Sequence, residues 1–254
     1  MPKLLALGVD VNFPKELQLQ RQEWLSSLYP NTSVVVRAIS HGPAYLESSF
    51  DQALAGRAIL EETILAEQDG FDAVGLLCLS DPYLDACREA VRIPVVGAGQ
   101  ASFLIGATLA SRLSVVTVND GAIPLLWKVV MASGISENLI SSIRAINMSI
   151  AEMTESSDKT LSRLEEVSKR ALEEDQAQAI VLGCTEMGRD IQQKLSNRLR
   201  VPVVDPNVAT VAIALGLVGA KLAQSPRGFP PRSHTLEERY INRCQKITTR
   251  YEEA

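Results

Sequence analysis

The sequence predicts an α/β protein of two similar lobes, each a parallel sheet flanked by helices, related by internal duplication and a pseudo-twofold axis. Three observations carry that prediction. Short apolar runs alternate with longer helical stretches, the pattern of buried parallel strands joined by helical crossovers. One phrase occurs twice: FDAVGLLCLSDPYLDACREAVRIPVVGAGQA at 71–101 returns as AQAIVLGCTEMGRDIQQKLSNRLRVPVVDPNVA at 177–209. Within it Cys78 and Cys184 each close an apolar strand, 106 positions apart, and Ile93-Pro94-Val95-Val96 is echoed by Val201-Pro202-Val203-Val204.

Taken in order, residues 4–9 read as a first parallel-type strand. Residues 15–28 have helical spacing, with Leu17, Gln20, Trp24, Leu25 and Leu28 as the expected buried stripe. The β-branched run 33–39 is the second strand, and His41-Gly42-Pro43 breaks it into a loop. Residues 49–68 are a long helix ended by Asp69-Gly70, and 73–77 are the third strand, delivering Cys78 at its carboxyl end. Ser80, Asp81 and Pro82 look like a helix start, a capping side chain followed by proline in the first turn, with the helix running to about 91 and a strand at 93–96.

The second half replays this order. Residues 113–118 answer 4–9 about 109 positions on, Arg144-Ala145-Ile146 answers Arg37-Ala38-Ile39 at 107, and 158–174 is again a helix leading to a strand and a cysteine. A duplicated βαβαβαβ unit accounts for all of these offsets. After Pro206 the residues Val208, Val211, Ala212, Leu215, Val218, Gly219 and Leu222 form a helical stripe with apolar neighbours, so that helix is expected to be buried on several sides, packed back on the first lobe. The expected division is residues 1–99 plus 205–224 for the first lobe, 100–204 for the second, and 225–254 as a C-terminal extension, extended at 225–233 and a charged helix from Thr235.

Composition limits the function. With 254 residues, 46% hydrophobic and 22% charged, the chain has the makeup of a globular protein. A net charge of −5 without a basic cluster argues against nucleic acid or an anionic membrane as partner. The least polar run, 208–220, is too short to span a bilayer, and the opening residues read as a strand rather than a signal peptide, so a cytoplasmic location is expected. Four cysteines without a CxxC pair and only two histidines predict reduced thiols and no metal site, and no nucleotide or flavin motif appears, so no cofactor is expected.

In open α/β sheets ligands bind beyond the carboxyl ends of the strands, where Cys78 and Cys184 are predicted. Each is expected beside a helix N-terminus, whose free N–H groups and partial positive charge lower a thiol's pKa. Under a pseudo-twofold axis the two thiols face each other across the cleft. One thiolate removes a proton from a carbon centre and the opposite thiol returns one on the other face, inverting configuration. A lone cysteine in an apolar setting is ordinarily a small core residue, the reading kept for Cys87 and Cys244. For Cys78 and Cys184 their equivalence in the duplication points to function.

The phrases Gly42-Pro43-Ala44-Tyr45-Leu46-Glu47-Ser48, Cys78-Leu79-Ser80-Asp81-Pro82, Ser114-Val115-Val116-Thr117, Arg144-Ala145-Ile146, Ile180-Val181-Leu182-Gly183-Cys184 and Arg227-Gly228-Phe229-Pro230-Pro231 together resemble the aspartate/glutamate/hydantoin racemase superfamily, most closely its hydantoin and allantoin racemase branch. The resemblance implies an active site between two α/β lobes and cofactor-independent racemisation by Cys78 and Cys184. It makes Ser80, Asn119 and Thr185 candidates for holding a carboxylate or imide oxygen of a small-molecule substrate, with Asp10 either a pocket carboxylate or a turn residue. It also implies a homo-oligomer. The sequence departs from the branch at Gly8-Val9-Asp10-Val11-Asn12, at Thr185-Glu186-Met187 and at Asp205-Pro206-Asn207, so hydantoin, allantoin and amino-acid substrates all stay open. Rival readings are a maleate-type isomerase or decarboxylase of the same superfamily, and a two-lobed protein that only binds its ligand.

Overall fold

A computed structural model describes residues 1–187 and 190–231. β1 (Lys3–Gly8), β2 (Ser33–Ala38), β3 (Ala73–Leu77) and β4 (Val95–Gly97) form one sheet in the order β2-β1-β3-β4. β5 (Leu113–Thr117), β6 (Ile140–Ala145), β7 (Ala179–Leu182) and β8 (Val203–Val204) form the other in the order β6-β5-β7-β8. Every pairing is parallel. The order is the same in both halves, as a duplication requires, and the two-lobed α/β class read from the sequence is the observed one.

The helices are α1 (Lys15–Leu28), α2 (Ser49–Gln68), α3 (Leu84–Ala90), α4 (Ala98–Leu109), α5 (Ile123–Ala132), α6 (Ile150–Glu155), α7 (Ser157–Glu174), α8 (Ile191–Leu199) and α9 (Pro206–Gly219). Local chemistry sets several of their ends. Ser48 caps α2 by accepting from the Asp51 amide, and Gly70, at φ +74°, turns the chain out of that helix. Asp205 caps α9 by accepting from the amides of Asn207 and Val208, with Pro206 in the first turn, where its missing N–H costs nothing. In α7 the buried residues Leu161, Leu164, Ser168 and Ala171 recur at helical spacing and form its inner face.

α4 and α9 pack on each other where the lobes meet. α9 lies against β3, β4 and β1 of the first sheet, and α4 reaches β7 and β8 of the second. A core cluster fed by both sheets surrounds them, including Leu4, Ala73, Val96, Phe103, Leu113, Val115, Val181, Ala209 and Ala214. α9 sits so close to β3 that a Cβ at Gly75 would fall 2.5 Å from Thr210 Cγ2. Separate clusters fill the outer faces, one around Leu5, Leu7, Ile59 and Leu76 and one around Ile146, Leu164, Ile180 and Leu195.

Several expectations change. The buried residues of α1 are Gln18 and Leu25, with Arg21 nearly so, whereas Leu17 and Leu28 are exposed; the helix turns a polar side chain inward because that side chain finds a partner there, described below. In α9 the buried set is Pro206, Asn207, Ala209, Thr210, Val211 and Ala214, of which only Val211 belongs to the expected stripe, and Leu222 lies beyond the helix, exposed. Small residues line that face because the helix is wedged against a sheet on one side and α4 on another. Residues 225–229 form a turn rather than an extended run, the amides of Gly228 and Phe229 donating to the Ser225 carbonyl. Gln224 ties this segment to the first lobe, donating to the carbonyls of Arg88, Val91 and Ile93, and Phe229 lies 5.3 Å from the Arg88 guanidinium. The helix expected from Thr235, and Cys244 with it, lies outside the described residues. Among the described residues no helix is long and apolar enough to cross a membrane.

Candidate active site

β3 and β7 run parallel to their neighbours at the centre of each sheet and stop at Leu77 and Leu182, so Cys78 and Cys184 emerge just past equivalent strand ends. The two ends meet. Thr185 Oγ1 donates to the Leu77 carbonyl at 3.1 Å, and the Asn207 side chain donates to the Thr185 carbonyl at 3.0 Å. The residue after one cysteine is thereby bonded to the residue before the other, across the lobe boundary. A charge on Cys78 opposes one on Cys184, so the two thiols lie within electrostatic reach.

Among the described residues each sulfur has one hydrogen-bonding neighbour, and the two differ. Cys78 Sγ is 3.2 Å from Ser80 Oγ, whereas Cys184 Sγ accepts from the Glu186 amide at 3.4 Å. Both thiols are pushed up, not down: burial raises Cys78 to about 11 and Cys184 further, with Glu186 adding to the latter. This corrects the expectation of helix starts beside the thiols. α3 begins at Leu84 behind Tyr83, a left-handed residue with no side-chain cap, and α8 begins only at Ile191. The effect of a helix start fades within a turn, so burial dominates.

Asp81, expected to cap the helix following it, caps another. Its carboxylate accepts from the amides of Gly99 and Gln100 at 2.7 Å each, at the start of α4. The loop lies so tightly on α4 that a Cβ at Gly99 would fall 2.3 Å from the Leu79 carbonyl oxygen. Burial raises Asp81 to about 7 against those two bonds.

The other predicted residues fall as follows. Asp10 is raised to about 7, by burial first and then by Glu186, and its charge bears on Cys78. Ser80 touches Cys78 as described. Thr185 is committed to the Leu77 carbonyl and caps no helix. Asn119, just past the end of β5, accepts from the Ala122 amide through Oδ1 at 3.1 Å and has no described bond to either cysteine. His41 is half exposed, 3.6 Å from Glu61. Cys87 is buried, accepting from Thr63 Oγ1 at 3.5 Å. Among the described residues no group of three or more His, Cys, Asp or Glu could hold a metal.

Sequence reasoning missed Arg21. It reaches from α1 to Glu186 with two parallel bonds of 2.8 Å, its side chain 11% exposed, and its guanidinium lies 4.6 Å from the Phe13 ring centre. This ion pair joins the first lobe to the turn that donates to Cys184. Arg21 also offsets the charges of Asp205 and Asp10. Its position one helical turn from Leu17 and Leu25 was the available signal. Tyr45 is a second omission: its hydroxyl pairs with the Asn12 side chain while its ring packs against the second lobe's outer core, so the loops after β1 and β2 close over the boundary together.

The two parallel-sheet lobes, each with a cysteine just past its third strand, define a two-lobed α/β protein, and comparison with known proteins gives its family. The family model of Asp/Glu/Hydantoin racemase matches residues 21–214. The chain is 35% identical over 193 residues to a hydantoin racemase of Pseudomonas sp. (strain NS671), covering 76% of this chain and 77% of that one. It is 36% identical over 190 residues to a hydantoin racemase of Paenarthrobacter aurescens, covering 74% and 80%. Among solved structures, allantoin racemase from Klebsiella pneumoniae superposes with a TM-score of 0.81 at 26% identity, covering 92% of this chain and 95% of that one. This chain belongs to the Asp/Glu/hydantoin racemase family and is an isomerase.

Proposed function

We propose that this protein racemises a hydantoin-type substrate without a cofactor, by proton transfer between Cys78 and Cys184. The observation that carries the reading is the bond from Thr185 to Leu77, which holds the two cysteine-bearing strand ends against each other. The hydantoin racemases of similar sequence and the allantoin racemase of similar fold favour a cyclic imide or ureide over a free amino acid.

In this mechanism one cysteine enters as thiolate and takes the proton from the carbon between a ring nitrogen and a ring carbonyl. The electron pair moves into that carbonyl, giving a planar enolate. The opposite thiol gives its proton to the other face, and the enzyme is left with its charge on the second sulfur. No atom is gained or lost, and the reverse turnover restores the first state. A thiolate raised by burial is scarce near neutral pH but a stronger base when formed. Ser80 and the Glu186 amide supply the hydrogen bonds that steady it. Asn119, with its Oδ1 engaged, offers its amide N–H groups to a substrate oxygen. Asp10, whose charge acts on Cys78, serves as the first lobe's carboxyl in this reading.

The reading extends to a cytoplasmic homo-oligomer with the lobe boundaries at 99 and 204. Polarimetry on single enantiomers of 5-benzylhydantoin, allantoin and aspartate tests it: decay of rotation to zero for a ring substrate supports it, and an unchanged rotation with all three rejects it.

A further inference from the structure

Two cavities flank the cysteine-bearing turns, and the duplication relates them. One, of about 500 Å³, lies between α1 and the α7–α8 side of the second lobe. The other, of about 370 Å³, lies between α5 and the α2–α3 side of the first. Leu17, Gln20, Arg21 and Trp24 line the first where Leu125, Lys128, Val129 and Ala132, each 108 positions on, line the second. Opposite them, Glu186 and Lys194 of the first answer Ser80 and Arg88 of the second at an offset of 106. Each cavity is thus walled by a helix of one lobe and by the turn after the cysteine strand of the other. Neither thiol lines either cavity.

The copies have diverged in charge. In the first, Arg21 and Glu186 bind each other, and Glu23 and Asp190 outnumber the remaining cation, Lys194. In the second, Val129 and Ser80 stand where that ion pair stood, and the charged groups are Asp81, Asp85, Arg88 and Lys128. Both Asp81 oxygens are taken by amides of α4, and Asp85 is paired with Arg88 at 3.6 Å. Arg88 also donates to the Val95 carbonyl and to Gln100. Lys128 has no hydrogen-bond or ion-pair partner among the described residues. Leu84, Leu125 and Val129 give the same cavity an apolar wall.

We infer that the cavity between α3 and α5 is a second ligand site, which takes a small carboxylic acid with an apolar body. The carboxylate meets Lys128 at the mouth and the apolar part lies on Leu84, Leu125 and Val129. A volume of about 370 Å³ at a boundary between lobes suits such a molecule. Its occupant touches α5 of the second lobe and Ser80 of the first, the residue 3.2 Å from the Cys78 sulfur. The inference goes beyond the racemase reading and does not depend on it.

The test uses the full chain with Trp24→Phe, which leaves Trp127, beside Lys128 on α5, as its single tryptophan. Trp127 fluorescence is titrated with 3-phenylpropionate and with its neutral amide, 3-phenylpropionamide. Saturable binding of the acid, about tenfold tighter than the amide, is expected. Lys128→Gln should weaken the acid about tenfold and Lys128→Arg restore it. Ala132→Phe, which fills the mouth from an exposed position, should abolish binding. An excess of 5-benzylhydantoin should leave bound acid in place. No saturable binding, equal affinity for acid and amide, indifference to Lys128→Gln and Ala132→Phe, or displacement by the hydantoin would each overturn the assignment.

Discussion

Thr185 Oγ1 donates to the Leu77 carbonyl at 3.1 Å, and the two residues sit on either side of the boundary between duplicated lobes, each next to a cysteine. Thr185 is buried, and among the described bonds its hydroxyl makes only this one, so the contact ties together the two strand ends on which the proposed proton transfer depends. Thr185→Val keeps the shape and leaves a buried carbonyl unpaired. It is expected to cost about 1–3 kcal/mol by denaturant unfolding and to lower kcat more than it raises KM. Thr185→Ser should restore most of both.

The Arg21–Glu186 pair is the second tie across the boundary, and its burial makes it sensitive to losing one partner. Arg21→Met strands the Glu186 carboxylate beside Cys184 and Asp10, with an expected loss of about 3–5 kcal/mol. Arg21→Met combined with Glu186→Gln removes both charges and should recover more than half of that loss. Additive losses in the double variant, measured in the same denaturant, would show that the pair is not coupled.

The pH dependence follows from the thiols. Cys78 is raised to about 11 and Cys184 is raised further, so the thiolate fraction of either climbs with pH throughout the neutral range. Between pH 7 and pH 9, kcat/KM is expected to rise about tenfold per unit once the substrate's own ionisation and uncatalysed racemisation are subtracted. A plateau already at pH 7 would mean that a thiolate is stabilised far more strongly than the hydrogen bonds from Ser80 and the Glu186 amide allow.

Asp10 gives a stability prediction of defined sign. Its folded pKa, about 7, lies above the ordinary 3.8 of an exposed aspartate, so between those values the folded state holds more protons than the unfolded one. Stability from this group is full below about pH 4 and falls as pH rises toward 7. Asp10→Asn should therefore stabilise the protein by roughly 1–2 kcal/mol at pH 8 and by nothing at pH 4, read as the difference in unfolding midpoint at the two values.

The sequence made the fold legible because the duplication repeats strand, cysteine and strand at nearly constant offsets, and buried parallel strands are continuous apolar runs. It marked Cys78 and Cys184 for the same reason. What it could not convey was long-range pairing. Ser80-Asp81-Pro82 has the local form of a helix start, but Asp81 is drawn to two amides of α4 nearly twenty residues away. The sequence does not single out Arg21, because Glu186, the partner that makes it informative, lies 165 positions on. Nor does it show that the Thr185 hydroxyl, a candidate for holding a substrate oxygen, is claimed by the Leu77 carbonyl of the other lobe. The helices α4, α5 and α6 were not anticipated: α4 carries two glycines and α5 a proline near its start, which mask their helical periodicity.

The central claim is that both cysteines transfer protons, one on each face. The most direct measurement is exchange of the ring C–H for deuterium in D₂O at neutral pH, followed by NMR and polarimetry on each enantiomer of 5-benzylhydantoin. Wild type, Cys78→Ser and Cys184→Ser are compared. Wild type should incorporate deuterium as optical activity decays, and each single variant should lose racemisation by a factor on the order of 10³. Near wild-type racemisation by either variant would contradict a two-thiol mechanism.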